Sequence, residues 1–245
     1  MNHLIIPEWP APAHVHAYTT LRTGGVSKGP YDSFNLGESS GDDLLNVQSN
    51  RNLLKEMIKI PSEPVWLNQT HSTIVHLATP RSRRQPGDAS YSSYPNQVCV
   101  VLTADCLPVL ICDRKGSHVA AIHAGWRGLA KGIIETTLKT LNLSPNDLLV
   151  WLGPAIGPTV YEVSEEVRQY FITIDIENSA AFTPSSKSNH WLLDLYAVAR
   201  LQLKKNHIKA VYGGDYCTYT DKEKFFSYRR DGMKTGRMAS LIWFT

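Results

Sequence analysis

The chain has 245 residues, 42% of them hydrophobic and 19% charged, with 25 Lys and Arg against 22 Asp and Glu for a formal net charge of +3. A chain this long buries a sizeable core without disulfides or metal staples, so a bound metal would serve chemistry rather than folding. The mild positive balance excludes a basic nucleic-acid footprint: the densest basic run, Arg81, Arg83 and Arg84, sits beside Pro80 and Pro86 and reads as a solvated loop.

Taken from its start, MNHLIIPEWP has a three-residue apolar run and no cationic opening, which does not fit a signal peptide. Nowhere do about 18 apolar residues run together, so no membrane span is expected. The four cysteines follow no secreted-framework spacing, which predicts reduced thiols and a cytoplasmic protein. No repeat or Gly/Ser/Pro-rich linker divides the chain, so one domain over 1–245 is expected.

Apolar runs bounded by Gly, Pro, Asn or Asp predict strands in chain order at 14–19, 65–69, 73–78, 98–102, 109–112, 119–123 and 148–152. Helical spacing predicts a helix capped by Asp42 and running to Met57, then another over 128–141. A third helix is expected behind Ser164 through Val167, Tyr170 and Phe171, and a fourth over 192–205. Strands follow at 210–213, 225–229 and 238–244, the last two read as a hairpin around the Gly-containing loop 231–236. Many strands with a few scattered helices predict an α+β fold, a sandwich of mixed β-sheets flanked by α-helices.

Three segments place reactive side chains at or just past the ends of apolar strands: LNQTHS (67–72), LTADCLPVL (102–110) and AIHAGWRG (121–128). Loops at strand ends are where a rigid scaffold presents such groups. His71, Cys106 and His123 supply imidazole and thiolate, good ligands for a borderline-soft cation, and three protein ligands leave a fourth position open as catalytic zinc requires. Their separations, 35 and then 17 residues, are not those of a closed finger. Spacing also admits a bland reading, with Cys106 a small buried hydrophobe and both histidines satisfied by backbone. Asp105 and the Gly-Trp-Arg-Gly turn tilt the reading toward a site, since a packed core needs neither group.

Cys99 and Cys112 read as core, and the His14/His16 pair as a weak copper motif. Residues 24–30 lack a phosphate-loop ending and read as a turn that brings Arg22, Asn35 and Gly37 near a ligand. Arg127 and Arg229 are candidate anion ligands, with surface salt bridging as the alternative. Cys106 as the nucleophile of a metal-free hydrolase, with His71 or His123 as base, uses the same residues.

These segments together resemble the YfiH-type family, also called laccase-domain or polyphenol-oxidase-like proteins. The matching stretches are TLRTGGVSKGPYDSFNLG (20–37), VWLNQTHS (65–72), DASYS (88–92), LTADCLPVLICD (102–113) and AAIHAGWRGLAKGIIE (120–135). WLGPAIGPTVYEVSEEV (151–167) and GGDYCTYT...FFSYRRDG...TGRMASLIW (213–243) continue the match in order. The resemblance implies a metal, usually Zn2+ with copper as the alternative, on His71, Cys106 and His123. It also implies action on purine nucleosides: phosphorolysis of inosine, guanosine, adenosine or methylthioadenosine with phosphate as cosubstrate, and deamination of adenosine. Asn35, Arg127 and Arg229 are then the candidate substrate-binding residues, with no nucleic acid or membrane as partner. An older label, polyphenol oxidase, implies multicopper chemistry, to which nine histidines and one His-x-His pair are poorly suited.

Overall fold

Alternation with period two organises the middle of the chain. Val98 and Val100 enter one apolar cluster while Cys99 and Val101 enter another, so this strand is covered on both faces. The computed structural model describes residues 3–245. The first part of the chain forms β1 (Leu4–Ile5), β2 (Val15–Thr20), α1 (Leu44–Met57), β3 (Val75–Leu77) and β4 (Ala89–Ser92). The middle forms β5 (Cys99–Thr103), β6 (Leu107–Asp113), β7 (Val119–Ala124), α2 (Trp126–Ala130), α3 (Ile133–Leu141) and β8 (Leu148–Leu152). Then come β9 (Glu162–Ser164), α4 (Glu165–Ile174), β10 (Phe182–Pro184), β11 (His190–Leu193) and α5 (Leu195–Lys205). The chain closes with β12 (Val211–Gly213), α6 (Tyr228–Asp231) and β13 (Met238–Phe244).

These strands make an antiparallel four-stranded sheet, β1-β2-β13-β5, and a mixed six-stranded sheet, β12-β8-β6-β7-β4-β3. A small antiparallel sheet, β10-β11-β9, stands apart from them. The two large sheets face one another across a layer that includes Ala17, Val101, Leu110, Ala121, Trp151 and Ile242. The outer face of the smaller one is covered by Phe34, Leu36 and Leu54, the last from α1. Val109, Ile111 and Ile122 on the opposite face of the larger one pack with Ile133 and Leu138 of α3 and Val198 and Leu203 of α5. The expected α+β sandwich is therefore what forms. Each fully buried aliphatic side chain stabilises by roughly 1.5–3 kcal/mol, whereas an exposed pair such as Lys139–Glu135 contributes about 0.3–0.5 kcal/mol. The apolar faces hold the frame. Among the described residues no helix is long and apolar enough to cross a membrane.

The structure departs from expectation where side chains compete for backbone groups. Residues 225–229 are not a strand, and no hairpin joins them to β13. Phe225 and Phe226 are buried, Ser227 caps the one-turn α6 by accepting from Arg230 N, and the Arg229 N–H is taken by the Asp105 carboxylate at 2.6 Å. β13 instead pairs antiparallel with β2 and β5, with Ile242 opposite Ala17 and Ser240 opposite Val101. The helix expected over 128–141 starts earlier and is broken at Gly132, whose φ of +85° suits only glycine without strain. α5 begins later than expected, because Leu192 belongs to β11 and Asp194 is the cap, accepting from Ala197 N. Asp43 caps α1, while Asp42 accepts hydrogen bonds from Ser27 and Asn35. Residues 65–69 make only isolated bridges, and the Gln69 amide stands in for a strand partner by bonding both backbone groups of Leu102 at 2.7 Å.

Candidate metal centre

Strand parity sets the site at one end of the intersheet layer. His123 shares a face of β7 with Val119 and Ala121, which lie between the sheets. It pairs across the ladder with Pro108, and Cys106, two residues before Pro108, has the same parity as Leu110 and Cys112 in that layer. His71 arrives from the third segment, carried past β5 by the Gln69 bonds. Both His71 (φ 57°) and Asp105 (φ 89°) adopt left-handed backbone, a conformation that costs about 1–3 kcal/mol for a residue with a side chain and that clusters at functional sites.

The three side chains meet. One ligand atom from each of His71, Cys106 and His123 lies within 4.8 Å of the others, and Cys106 Sγ is 3.7 Å from His71 Nε2. The imidazole rings stand edge to face with centroids 4.8 Å apart. A tetrahedral zinc with bonds of about 2.0–2.3 Å holds its ligands roughly 3.5 Å apart, so small side-chain adjustments suffice to close the set on one ion. Gly125 permits this approach: a Cβ there would lie 2.7 Å from His71 Cδ2 and 2.9 Å from Cys106 Sγ.

A single buried carboxylate holds the His123 imidazole and the turn that carries His71. Asp88 accepts from His123 Nδ1 at 2.8 Å, which leaves Nε2 as the free ligand atom. The same carboxylate accepts from the backbone N–H groups of Thr70, His71 and Ser72 and from the Ser72 hydroxyl, so it also fixes the turn that carries His71. Burial pushes Asp88 up, yet the bonds from His123 and Ser72 outweigh it and hold the carboxyl well below the usual carboxylate range.

Burial also opposes ionisation of Cys106, but the neighbouring His123 and His71 overcome it and bring the thiol down to about 6. His123, which burial alone would lower, is raised to about 9 by the Cys106 thiolate and by Asp88. Each group thus favours the charged form of the other, a thiolate beside an imidazolium. Two imidazoles and a thiolate also make the donor set that zinc and copper favour.

The trio lies at the base of a cavity of about 560 Å³ lined by Trp126, Tyr161 and Tyr228 on its aromatic side and by Arg127, Arg229 and Arg237. Arg127 lies over the Trp126 ring at 4.4 Å, and Arg229 over Tyr161 at 5.0 Å while donating to the Glu162 carbonyl. Burial pushes the Tyr161 phenol up, so it stays protonated. Asn35 is not in this cavity. It is fully buried, its amide nitrogen donating to Ser40 and Asp42 and its oxygen accepting from the N–H groups of Gly37 and Arg237. Arg22 is elsewhere, bonded to the Asp32 and Lys222 carbonyls, and His14 and His16 take separate partners, Gly116 O and the Trp243 ring.

The structure gathers the metal trio, Arg127 and Arg229 around one cavity, beside Gly125 of the Gly-Trp-Arg-Gly turn, and adds Asp88 and Arg237, which sequence reasoning did not single out. The DASYS and TGRMAS stretches contain Asp88 and Arg237. An arginine directly before the apolar run of β13 was an available signal, whereas the polar stretch ASYS after Asp88 offered none.

With this geometry in view, the likeness to known proteins becomes specific. Residues 16–245 match the family described as multi-copper polyphenol oxidoreductase laccase. The chain belongs to this family. It is 49% identical over 244 residues to the purine nucleoside phosphorylase YfiH of Escherichia coli K12, covering 99% of each chain. A purine nucleoside phosphorylase of Pseudomonas aeruginosa is 48% identical over 243 residues, again covering 99% of both. The crystal structure of a Neisseria meningitidis protein superposes with a TM-score of 0.94 at 45% identity over 99% of each chain. The YfiH-type assignment and the fold therefore agree.

Proposed function

We propose that this chain is a cytoplasmic purine nucleoside phosphorylase whose centre is one zinc ion held by His71, Cys106 and His123. The observation that carries the reading is the convergence of those three ligands within 4.8 Å beside an arginine-lined cavity, in a chain nearly half identical to proteins named purine nucleoside phosphorylases. In phosphorolysis a phosphate oxygen bonds to the anomeric carbon as the glycosidic bond breaks. The bonding electron pair leaves on the purine nitrogen, which takes up a proton. Arginines suit the phosphate because the planar guanidinium matches its oxygens. Trp126, Tyr161 and Tyr228 offer faces against which a purine can pack, and the Tyr161 hydroxyl is a donor at neutral pH.

Zinc, when bound, supplies Lewis-acid polarisation and can activate water near neutral pH. Adenosine deamination at the same centre, with water adding at C6 and ammonia leaving, belongs to this proposal, as do inosine, guanosine and methylthioadenosine as substrates. Among the described residues only one group of three metal-capable side chains is found, whereas multicopper oxidation uses several imidazole clusters.

Elemental analysis of protein purified without added metal, combined with inosine turnover with and without phosphate, tests the reading. One zinc per chain and hypoxanthine release that requires phosphate are expected. Turnover that survives a chelator but is abolished by thiol alkylation would instead assign the site to a cysteine hydrolase, a reading favoured by the thiolate–imidazolium pair.

A further inference from the structure

The geometry points to Arg237 as the residue that holds the phosphate cosubstrate against the metal centre, with the exposed Arg127 and Arg229 as rim cations. This rests on the phosphorylase reading above and extends it to a residue that sequence reasoning left without a role.

Arg237 differs from its neighbours in being fixed and partly buried with no carboxylate paired to it, on the same cavity as Cys106. Its Nη1 donates to the Thr235 and Gly236 carbonyls at 2.6 and 2.9 Å, and its backbone N–H donates to Asn35 Oδ1 at 2.9 Å. Its aliphatic stem runs against Gly37, where a Cβ would lie 2.7 Å from Arg237 Cγ, so glycine is required beside it. Behind Asn35 stand Ser40 and Asp42, and Asp42 also accepts from Ser27. A buried polar network from residues 27–42 thus fixes one arginine that comes from the far end of the chain.

That arrangement lacks the usual reason for it. Among the described residues no carboxylate lies within ion-pair distance of Arg237. Asp105, a carboxylate in the same cavity wall, has both oxygens engaged, one by the Thr218 hydroxyl and one by Arg229 N, each at 2.6 Å. A partly desolvated guanidinium keeps a strong field because water screens it poorly. Its ordering is already provided by the backbone, so little rotamer freedom is lost when an anion arrives. With Nη1 committed to carbonyls, Nε and Nη2 remain to donate to two oxygens of one anion. A tetrahedral oxyanion is the ligand class. Free phosphate and the phosphate ester of a nucleotide share that chemistry, and free phosphate is the one assigned here.

The test is steady-state inosine phosphorolysis by the metal-loaded full chain, alongside calorimetric titration with inorganic phosphate and, separately, with inosine 5′-monophosphate. Losing a charge-assisted bond of this kind weakens binding about 10- to 100-fold. Arg237→Met is therefore expected to raise the KM for phosphate at least about tenfold while moving that for inosine less than about threefold. Arg237→Lys, a point charge without the fork, falls between the two, and it carries the test if the methionine variant does not fold. Equal phosphate affinity in wild type and a folded variant overturns the assignment, as does a wild type that binds no phosphate. Tight binding of the monophosphate with none of free phosphate also overturns it. If wild type binds phosphate through Arg237 yet releases no base, the phosphorylase reading fails while the anion site stands.

Discussion

Cys106 and Cys112 are six residues apart, one just before β6 and the other within it, yet they occupy opposite chemical environments. Cys112 is inside the intersheet layer with no exposure, where burial and the adjacent Asp113 push its thiol up to about 12. Cys99, across the layer on β5, is likewise raised to about 12 by burial. Cys106 stands at the mouth of the same layer, where the two histidines overcome burial and bring it down to about 6. The difference follows position: Cys99 and Cys112 lie within the intersheet layer, and Cys106 lies just before β6 beside His71. Chemistry begins where strands end and loops can deliver imidazoles to the thiol.

The largest effect that sharpens this contrast belongs to Cys106→Ser. It should abolish bound metal and lower turnover at least about a thousandfold, since removal of a nucleophile or central ligand commonly has effects of that order. Metal content and kcat measured on the same sample check it, and intact turnover would remove the site from consideration. Cys112→Ser should do the reverse, keeping metal while destabilising the fold by about 1–3 kcal/mol through an added buried hydroxyl, as read by urea unfolding.

Asp88→Asn probes what joins the two environments. It removes the charge that faces His123 and the N–H groups of residues 70–72, so metal affinity should fall about 10- to 100-fold and stability by about 3 kcal/mol. Because the native Asp88 carboxyl is depressed, its stabilisation is complete above the unfolded value near about 4 and is lost as pH falls below it. The variant should therefore show a shallower acid-side loss in a pH series of unfolding midpoints. Metal binding by Asp88→Asn equal to wild type would break the argument that this carboxylate holds one ligand and the turn that carries another.

Gly125→Ala should be milder in stability but clear in function. Its methyl would press on His71 and Cys106, and a displacement of that kind reduces turnover about tenfold or more. The smallest effect is one of reactivity. In metal-free protein, iodoacetamide should modify Cys106 at a rate that rises with pH through about 6 and then levels, while Cys99 and Cys112 react only after unfolding. Mass spectrometry of the alkylated cysteines checks the order.

Much of this molecule was legible before the fold was known. Apolar runs bounded by Gly, Pro, Asn or Asp predicted β2, β6, β7, β8 and β13 to within about two residues, because strands such as β6, β7, β8 and β13, buried on both faces, leave a short continuous apolar run in the residues themselves. The ligand trio was legible because reactive side chains stood at the ends of those runs. The short sheet β10-β11-β9, the isolated bridges of 65–69 and the replacement of a hairpin by β2-β13-β5 pairing were not. Their partners lie far away in the chain, and a side chain such as Gln69 or Asp105 can take a backbone group that a ladder would otherwise use. Asp88 and Arg237 belong with these. A carboxylate that holds one imidazole and the turn carrying another, or an arginine whose backbone N–H is held by Asn35 from 202 residues away, acquires its role from which groups surround it. Only the folded arrangement of the chain decides that.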